Sequence, residues 1–203
     1  IKEMTGRIKT PTFELENIKD ADLARFCQTF PNATSLSIKG KKGELTSIAP
    51  VAGLKNLTSF EMEANSVADM SPLANLKLTR IAVSSNALGP DLKWMKGLTG
   101  LKEVELYAGK SLTSFEGFPV LTGNPRVSIG GAAPADLSPL QSLGSSKLEL
   151  RNCTIKDLSP LAKMPNLSEL NLYGASVKDF SPLAGCAKLK SLTYYAVDGA
   201  DFS

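Results

Sequence analysis

Ser71-Pro72-Leu73-Ala74, Ser159-Pro160-Leu161-Ala162 and Ser181-Pro182-Leu183-Ala184 are one phrase written three times, and the reading of this chain starts from it. Ser138-Pro139-Leu140-Gln141 and Ala49-Pro50-Val51-Ala52 are close variants. Aligning the less obvious units puts Trp94 and Gly117 at the proline position. The anchors then fall at 50, 72, 94, 117, 139, 160 and 182, in steps of 22, 22, 23, 22, 21 and 22 residues. Self-similarity at a fixed period of this length signals a solenoid, in which each unit is too small to bury its own leucines and must stack on its neighbours.

Between anchors runs a second signal, two apolar residues with one variable residue between them. The pairs are Phe60/Met62, Ile81/Val83, Val104/Leu106, Val127/Ile129, Leu148/Leu150, Leu170/Leu172 and Leu192/Tyr194. Leu36/Ile38 and Phe13/Leu15 extend the series to about nine. Alternation with period two predicts short strands with one buried face. A spacing of 21 to 24 residues is too long for hairpins and predicts parallel strands with a crossover in every repeat. The proline suits the first turn of a short helix, and the serine before it is read as the N-cap, with Asp69, Asp136, Asp157 and Asp179 as further acceptors. So few residues remain for the return that single turns, many of them 3₁₀, are expected.

The stretch Asn166-Leu167-Ser168-Glu169-Leu170-Asn171-Leu172, continued by Val177 through Ala184, resembles the leucine-rich repeat family. The 22-residue length and the D-x-SPLA segment look like its bacterial, internalin-like subclass. The resemblance covers roughly Phe13 to Ser203. It implies an α/β solenoid: a curved parallel sheet with short helical or 3₁₀ turns on the convex side. The family's post-strand asparagine is present only as Asn65 and Asn86; Gly109, Ala132, Cys153 and Ala175 hold the equivalent places, so the hydrogen bonds of a buried asparagine ladder must be made some other way.

The 203 residues read as one elongated domain, residues 1–34 forming an N-terminal capping region with an irregular first repeat and residues 35–203 the regular repeats. Val197 to Ser203 reads as the opening of another repeat, so the chain is expected to be a fragment of a longer protein. A formal charge of +3 without a basic block does not point to nucleic acid or an anionic membrane. No apolar run has the length needed to span a bilayer. Three cysteines in unrelated repeat slots (Cys27, Cys153 and Cys186) do not make a disulfide framework and are read as structural.

Catalytic chemistry finds little to stand on. The chain has no histidine, which excludes Ser-His-Asp and Cys-His arrangements and the usual zinc ligand. It has no phosphate-binding glycine loop and no calcium-loop pattern, and Gly130-Gly131 reads as a turn. Glu103/Glu105 and Glu61/Glu63 are carboxylate pairs two residues apart on a strand, about 6 to 7 Å from one another and within reach of glycoside chemistry on distance alone. An open, water-facing sheet lacks the pocket that would perturb one of them, so they are read as solvated charges on a binding surface. The triplets at Asn32, Asn56 and Asn166 match the glycosylation pattern but recur at one repeat position, and are read as a product of the repeat.

A non-catalytic protein-binding module is therefore expected, without a cofactor and as a monomer, its partner lying on the concave sheet face. Candidate contact residues are Glu61, Glu63, Glu103 and Glu105 in the first half, and Tyr107, Arg126, Arg151, Glu169, Tyr173 and Tyr195 toward the second. Tyr173 and Tyr195 occupy equivalent places in adjacent repeats and should stack. Tyrosine and arginine are the residue types that dominate binding hot spots. The family resemblance implies a bacterial protein, surface-borne, periplasmic or secreted, engaging a host or envelope protein. The alternatives are a carbohydrate or cell-wall module using the tyrosines as stacking platforms, the targeting domain of a larger effector, and a structural spacer.

Overall fold

The computed structural model describes residues 12–40, 44–63 and 66–196. Nine strands, each of five residues, follow one another: β1 (Thr12–Glu16), β2 (Ser35–Lys39), β3 (Ser59–Glu63), β4 (Arg80–Ser84), β5 (Glu103–Tyr107), β6 (Arg126–Gly130), β7 (Lys147–Arg151), β8 (Glu169–Tyr173) and β9 (Ser191–Tyr195). They form one parallel, curved sheet whose spatial order is the sequence order. Register never slips: Phe13, Leu36, Phe60, Ile81, Val104, Val127, Leu148, Leu170 and Leu192 lie side by side, as do Leu15 through Tyr194 two residues on. A one-residue slip would turn a whole apolar set to water, which is why the alternation specifies the pairing. From β2 to β8 both apolar rows are buried. Leu192 is 44% exposed because no strand follows β9 among the described residues.

The return segments are 3₁₀ turns at Ala49–Gly53, Ser71–Leu73, Lys93–Met95, Ser138–Leu140, Ser159–Lys163 and Ser181–Gly185, each on an expected anchor. The Gly117 anchor is the exception. No helical turn forms there; one forms at Gly109–Ser111, directly after β5. Gly117 has φ +89°, and a Cβ on it would lie 2.3 Å from the Lys93 Cα, so the backbone itself packs on the preceding turn. Leu92 N–H donates to the Glu116 carbonyl (2.9 Å) across that contact.

The serine of the repeat is not the cap. The side-chain acceptor is the aspartate two residues before it: Asp69, Asp136, Asp157 and Asp179 each accept the N–H of the serine at 2.7–2.8 Å. Asp91 does the same for Lys93 (3.1 Å), and the hydroxyls of Ser47 and Ser114 take the place in their repeats. An aspartate closing on the backbone two residues ahead makes a turn of its own, and its rigid reach suits the corner better than the serine. The Ser71 and Ser159 hydroxyls and N–H groups lower the Asp69 and Asp157 pKa values, and the Lys93 N–H lowers that of Asp91.

Asn86 is exposed and builds no buried ladder; Asn65 lies outside the described residues. The buried post-strand slot holds Ser85, Ala108, Ala132, Cys153 and Ala175. Ser85 Oγ accepts the Ala87 N–H (3.2 Å), and Cys153 Sγ lies 3.4 Å from the Arg151 carbonyl. Elsewhere the turns bond to each other directly, Thr154 N–H to the Ala132 carbonyl (3.0 Å) and Ser176 N–H to that of Cys153 (3.3 Å). Small residues let neighbouring backbones approach closely enough to satisfy one another. A second ladder precedes the strands, where Thr58 and Thr79 N–H donate to the Thr34 and Thr58 carbonyls at 2.9 and 2.7 Å. The Thr58 and Ser168 hydroxyls join it, so the recurring triplets mark a ladder position.

At the N-terminal side the only α-helix among the described residues, α1 (Asp20–Thr29), takes the place of a 3₁₀ turn. Phe13, Phe26 and Phe30 form a cluster with centroids 4.6–5.3 Å apart. Asp20 ties the helix to the next repeat by accepting the Thr46 N–H (2.8 Å) and hydroxyl (2.6 Å).

Candidate functional site: the curved sheet face

Residues flanking the apolar rows project to the concave face, where the strand register sorts them into three lanes. The lane at the C-terminal ends of the strands reads Tyr107, Gly130, Arg151, Tyr173, Tyr195 across β5 to β9. Tyr173 and Tyr195 stack with centroids 5.4 Å apart and planes 15° from parallel. The Arg151 guanidinium carbon sits 5.0 Å from the Tyr173 ring centre, a cation–π contact continuing the column. On its other side Arg151 is held by Glu149. Tyr107 lies across Gly130, where a Cβ would meet its ring at 2.4 Å, and its hydroxyl accepts from Asn152 Nδ2 at 2.9 Å. The lane is thus a nearly continuous ribbon of rings and one guanidinium, with Tyr195 62% and Tyr107 45% exposed.

Beside the ribbon lies a depression of about 400 Å³. Its floor is Ala82, Ser84 and Ser128, small residues on the middle and outer lanes. Glu61, Glu63 and Glu105 stand on one side, and Arg126, Lys147 and Arg151 on the other, where Glu149 joins them. Six of the ten expected contact residues therefore meet here: Glu61, Glu63, Glu105, Tyr107, Arg126 and Arg151. Tyr173 and Tyr195 continue the face beyond it, Glu103 lies on the edge lane beside Arg80, and Glu169 pairs with Lys147 at 2.5 Å. That ammonium is the main reason the Glu169 pKa is lowered, with the Asn171 amide adding to it.

Arg80 was not singled out by its sequence position, yet it organises the acidic half. It reaches Glu61 (3.3 Å), Glu103 (3.2 Å) and Glu105 (3.9 Å), gathering three carboxylates from both flanking strands around one guanidinium. A planar fork of donors suits such bridging. The three carboxylates outnumber this cation, so the β3–β5 patch keeps negative charge. Arg126, exposed, has no ion pair among the described residues, so the neighbouring β6 edge is positive. Lane order alone shows which residues share a face; which carboxylates share a cation depends on side-chain reach across strands. Cys27 and Cys153 are free, and burial pushes their thiols up to about 11, away from nucleophile chemistry. Cys186 is also free and buried.

Residues 146–185 match the family model for leucine-rich repeats in two copies. No curated protein sequence matches the chain. Among solved structures the fold is similar to an internalin from Listeria monocytogenes, with a TM-score of 0.65 and 21% identity over 94% of this chain and 62% of that one. Internalin C2 of the same species gives 0.58 and 26% over 82% and 73%. A leucine-rich-repeat protein of Leptospira interrogans gives 0.68 and 16% over 93% and 52%. The chain thus spans less than two thirds of the length of the first and third of these. With nine in-register strands, turns on a 22-residue beat and residues 146–185 matching the family model, the chain folds as a leucine-rich-repeat solenoid, similar to the bacterial internalins.

Proposed function

We propose that this chain is a non-catalytic recognition module that binds a protein on its concave face, with the Arg151–Tyr173–Tyr195 column as the anchor. The leucine-rich-repeat fold in general serves protein–protein interaction. The observation that carries the specific reading is the stacked column: a guanidinium on one ring and that ring on a second, on three adjacent strands, with the outermost still 62% exposed. Side chains already ordered in the free protein lose less entropy on binding, and tyrosine and arginine contribute most at interface centres. Nine strands at about 4.8 Å give a face roughly 40 Å long, enough for a standard protein interface. The partner's chemistry follows from the charges: cationic groups over Glu61, Glu103 and Glu105, and a carboxylate opposite Arg126. The resemblance of the repeats to the internalin-like subclass extends the proposal to a bacterial protein, surface-borne or exported, that engages a host or envelope protein. Among the described residues no helix is long and apolar enough to cross a membrane.

Capture from host-cell and envelope extracts tests this, comparing the native chain with a Tyr173→Ala/Tyr195→Ala variant. A protein retained only by the native chain supports the column as anchor. Equal retention by both moves the site elsewhere on the solenoid. Glycan binding lost in the same variant would replace the protein reading with a carbohydrate one.

A further inference from the structure

A cavity lies on the flank of the solenoid, away from the concave face, and its chemistry differs from that of the sheet. It measures about 770 Å³ and spans the four loops that lead into β6, β7, β8 and β9. The repeat lengths differ across it. The next strand begins nine positions after the anchors at 117, 160 and 182 but eight after the anchor at 139, as it also does after the anchor at 72. The loop before β7 is therefore one residue shorter than the other three loops that line the cleft. Gly144 allows this, since its N–H bonds the Leu121 carbonyl at 2.9 Å and a Cβ there would lie 2.9 Å from the same oxygen. Buried Ser145 secures the shortened loop with its hydroxyl against the Pro125 carbonyl (2.6 Å), and Asn124 folds over with φ +61° to accept the Ser146 N–H (2.7 Å).

The charged groups lining the cleft are two lysines, Lys188 and Lys190, and no carboxylate joins them. Neither has an ion pair among the described residues; Lys188 donates to Asn166 Oδ1 at 3.0 Å. The remaining polar lining is hydroxyl and amide, from Thr122, Ser142, Ser146, Ser168, Asn124 and Asn166, while Leu121 and Leu189 supply apolar surface. Unneutralised cations among neutral donors and acceptors, beside aliphatic patches, match a ligand that is anionic, rich in hydroxyls and edged with C–H faces. The volume falls in the range of small-ligand sites.

We propose that this flank cleft is a second binding site, for an anionic carbohydrate or polyol chain carrying phosphate or sulfate, with Lys188 and Lys190 on the charge and Asn166, Ser142 and Ser168 on the hydroxyls. It is independent of the concave-face reading, because none of its lining residues lies on a strand. Two cations acting through charge-assisted hydrogen bonds make binding salt-dependent and selective against neutral chains.

Calorimetric titration of the native chain with three probes tests it: a poly(glycerol phosphate) oligomer, a sulfated heparin oligosaccharide and neutral dextran. Binding of either anionic probe, absent with dextran, is expected, and which one binds distinguishes phosphate from sulfate. Lys188→Gln/Lys190→Gln should weaken it by roughly tenfold or more, and Ser142→Trp should block it while leaving the charges in place. Tyr173→Ala/Tyr195→Ala should leave it unchanged, so loss of the concave-face anchor and loss of this site read out separately. Failure of both anionic probes at low salt, equal binding of dextran, or binding that survives both cleft variants overturns the proposal.

Discussion

The Tyr107 ring rests on the backbone of Gly130 one strand away, so closely that any β-carbon at position 130 must displace it. The ring is partly exposed and can swing aside. Gly130→Ala is therefore expected to cost little stability, within about 1 kcal/mol, the scale of one lost surface hydrogen bond. It should nonetheless release the Tyr107–Asn152 contact. Chemical denaturation beside the Asn152 side-chain amide resonances checks both halves; a cost of several kcal/mol would mean the ring has nowhere to go.

Gly117→Ala should behave in the opposite way. Its new Cβ would meet the Lys93 backbone rather than a movable ring, at a φ of +89° that side-chain-bearing residues rarely adopt. A loss of about 2 kcal/mol or more is expected from strain and displaced backbone together. Urea unfolding of the two glycine variants side by side is the test.

Leu170→Ala or Leu172→Ala removes a fully buried side chain in β8. The expected cost is about 2 to 5 kcal/mol. Because each repeat is stabilised by its neighbours, hydrogen exchange should quicken in β7 and β9 as well as β8, and less in β2. Uniform loss of protection along the chain would show the solenoid to be a single cooperative unit.

The turn aspartates make stability fall in acid. Asp69, Asp91 and Asp157 have folded pKa values below the ordinary value near 3.9. A depressed folded pKa contributes stability that is present above the unfolded value and lost as pH falls through the folded one. Denaturation midpoints should thus hold steady from neutral pH to about pH 4.5 and drop below it. Asp69→Asn/Asp157→Asn keeps a side-chain acceptor at each corner but removes two of the titrating groups, so its acid slope should be shallower.

Glu103→Gln should shift stability by under about 1 kcal/mol, since its pairing with Arg80 is only partly buried and Glu61 remains in reach of the same guanidinium. Thermal melts at low and moderate salt check this.

What could be read before the structure follows a physical boundary. Strand positions and register were legible because alternation and period constrain every repeat at once: Leu170 and Leu172 could face only inward. Alignment to the repeat puts Gly117 at the proline of a helical start, because the period counts residues without revealing that a backbone needs to pass against Lys93. Sequence alone does not separate Asp157 from Ser159, because either side chain can cap a turn and only geometry selects between them. Stacking of Tyr173 on Tyr195 followed from register, whereas the hold of Arg80 on three glutamates depends on flexible side chains crossing strands. Helix α1 left no trace in a repeat-based reading, since it departs from the repeat.

The ladders that join successive coils have a mechanical consequence. Their hydrogen bonds run along the solenoid axis, perpendicular to the strands, so tension on the two ends would open them one row at a time instead of shearing many together. Each released coil would add about 22 residues of slack, roughly 75 Å when extended. Held between two attachment points, such a chain would act less as a rigid rod than as a spool, yielding length in small instalments and rewinding when the load is removed.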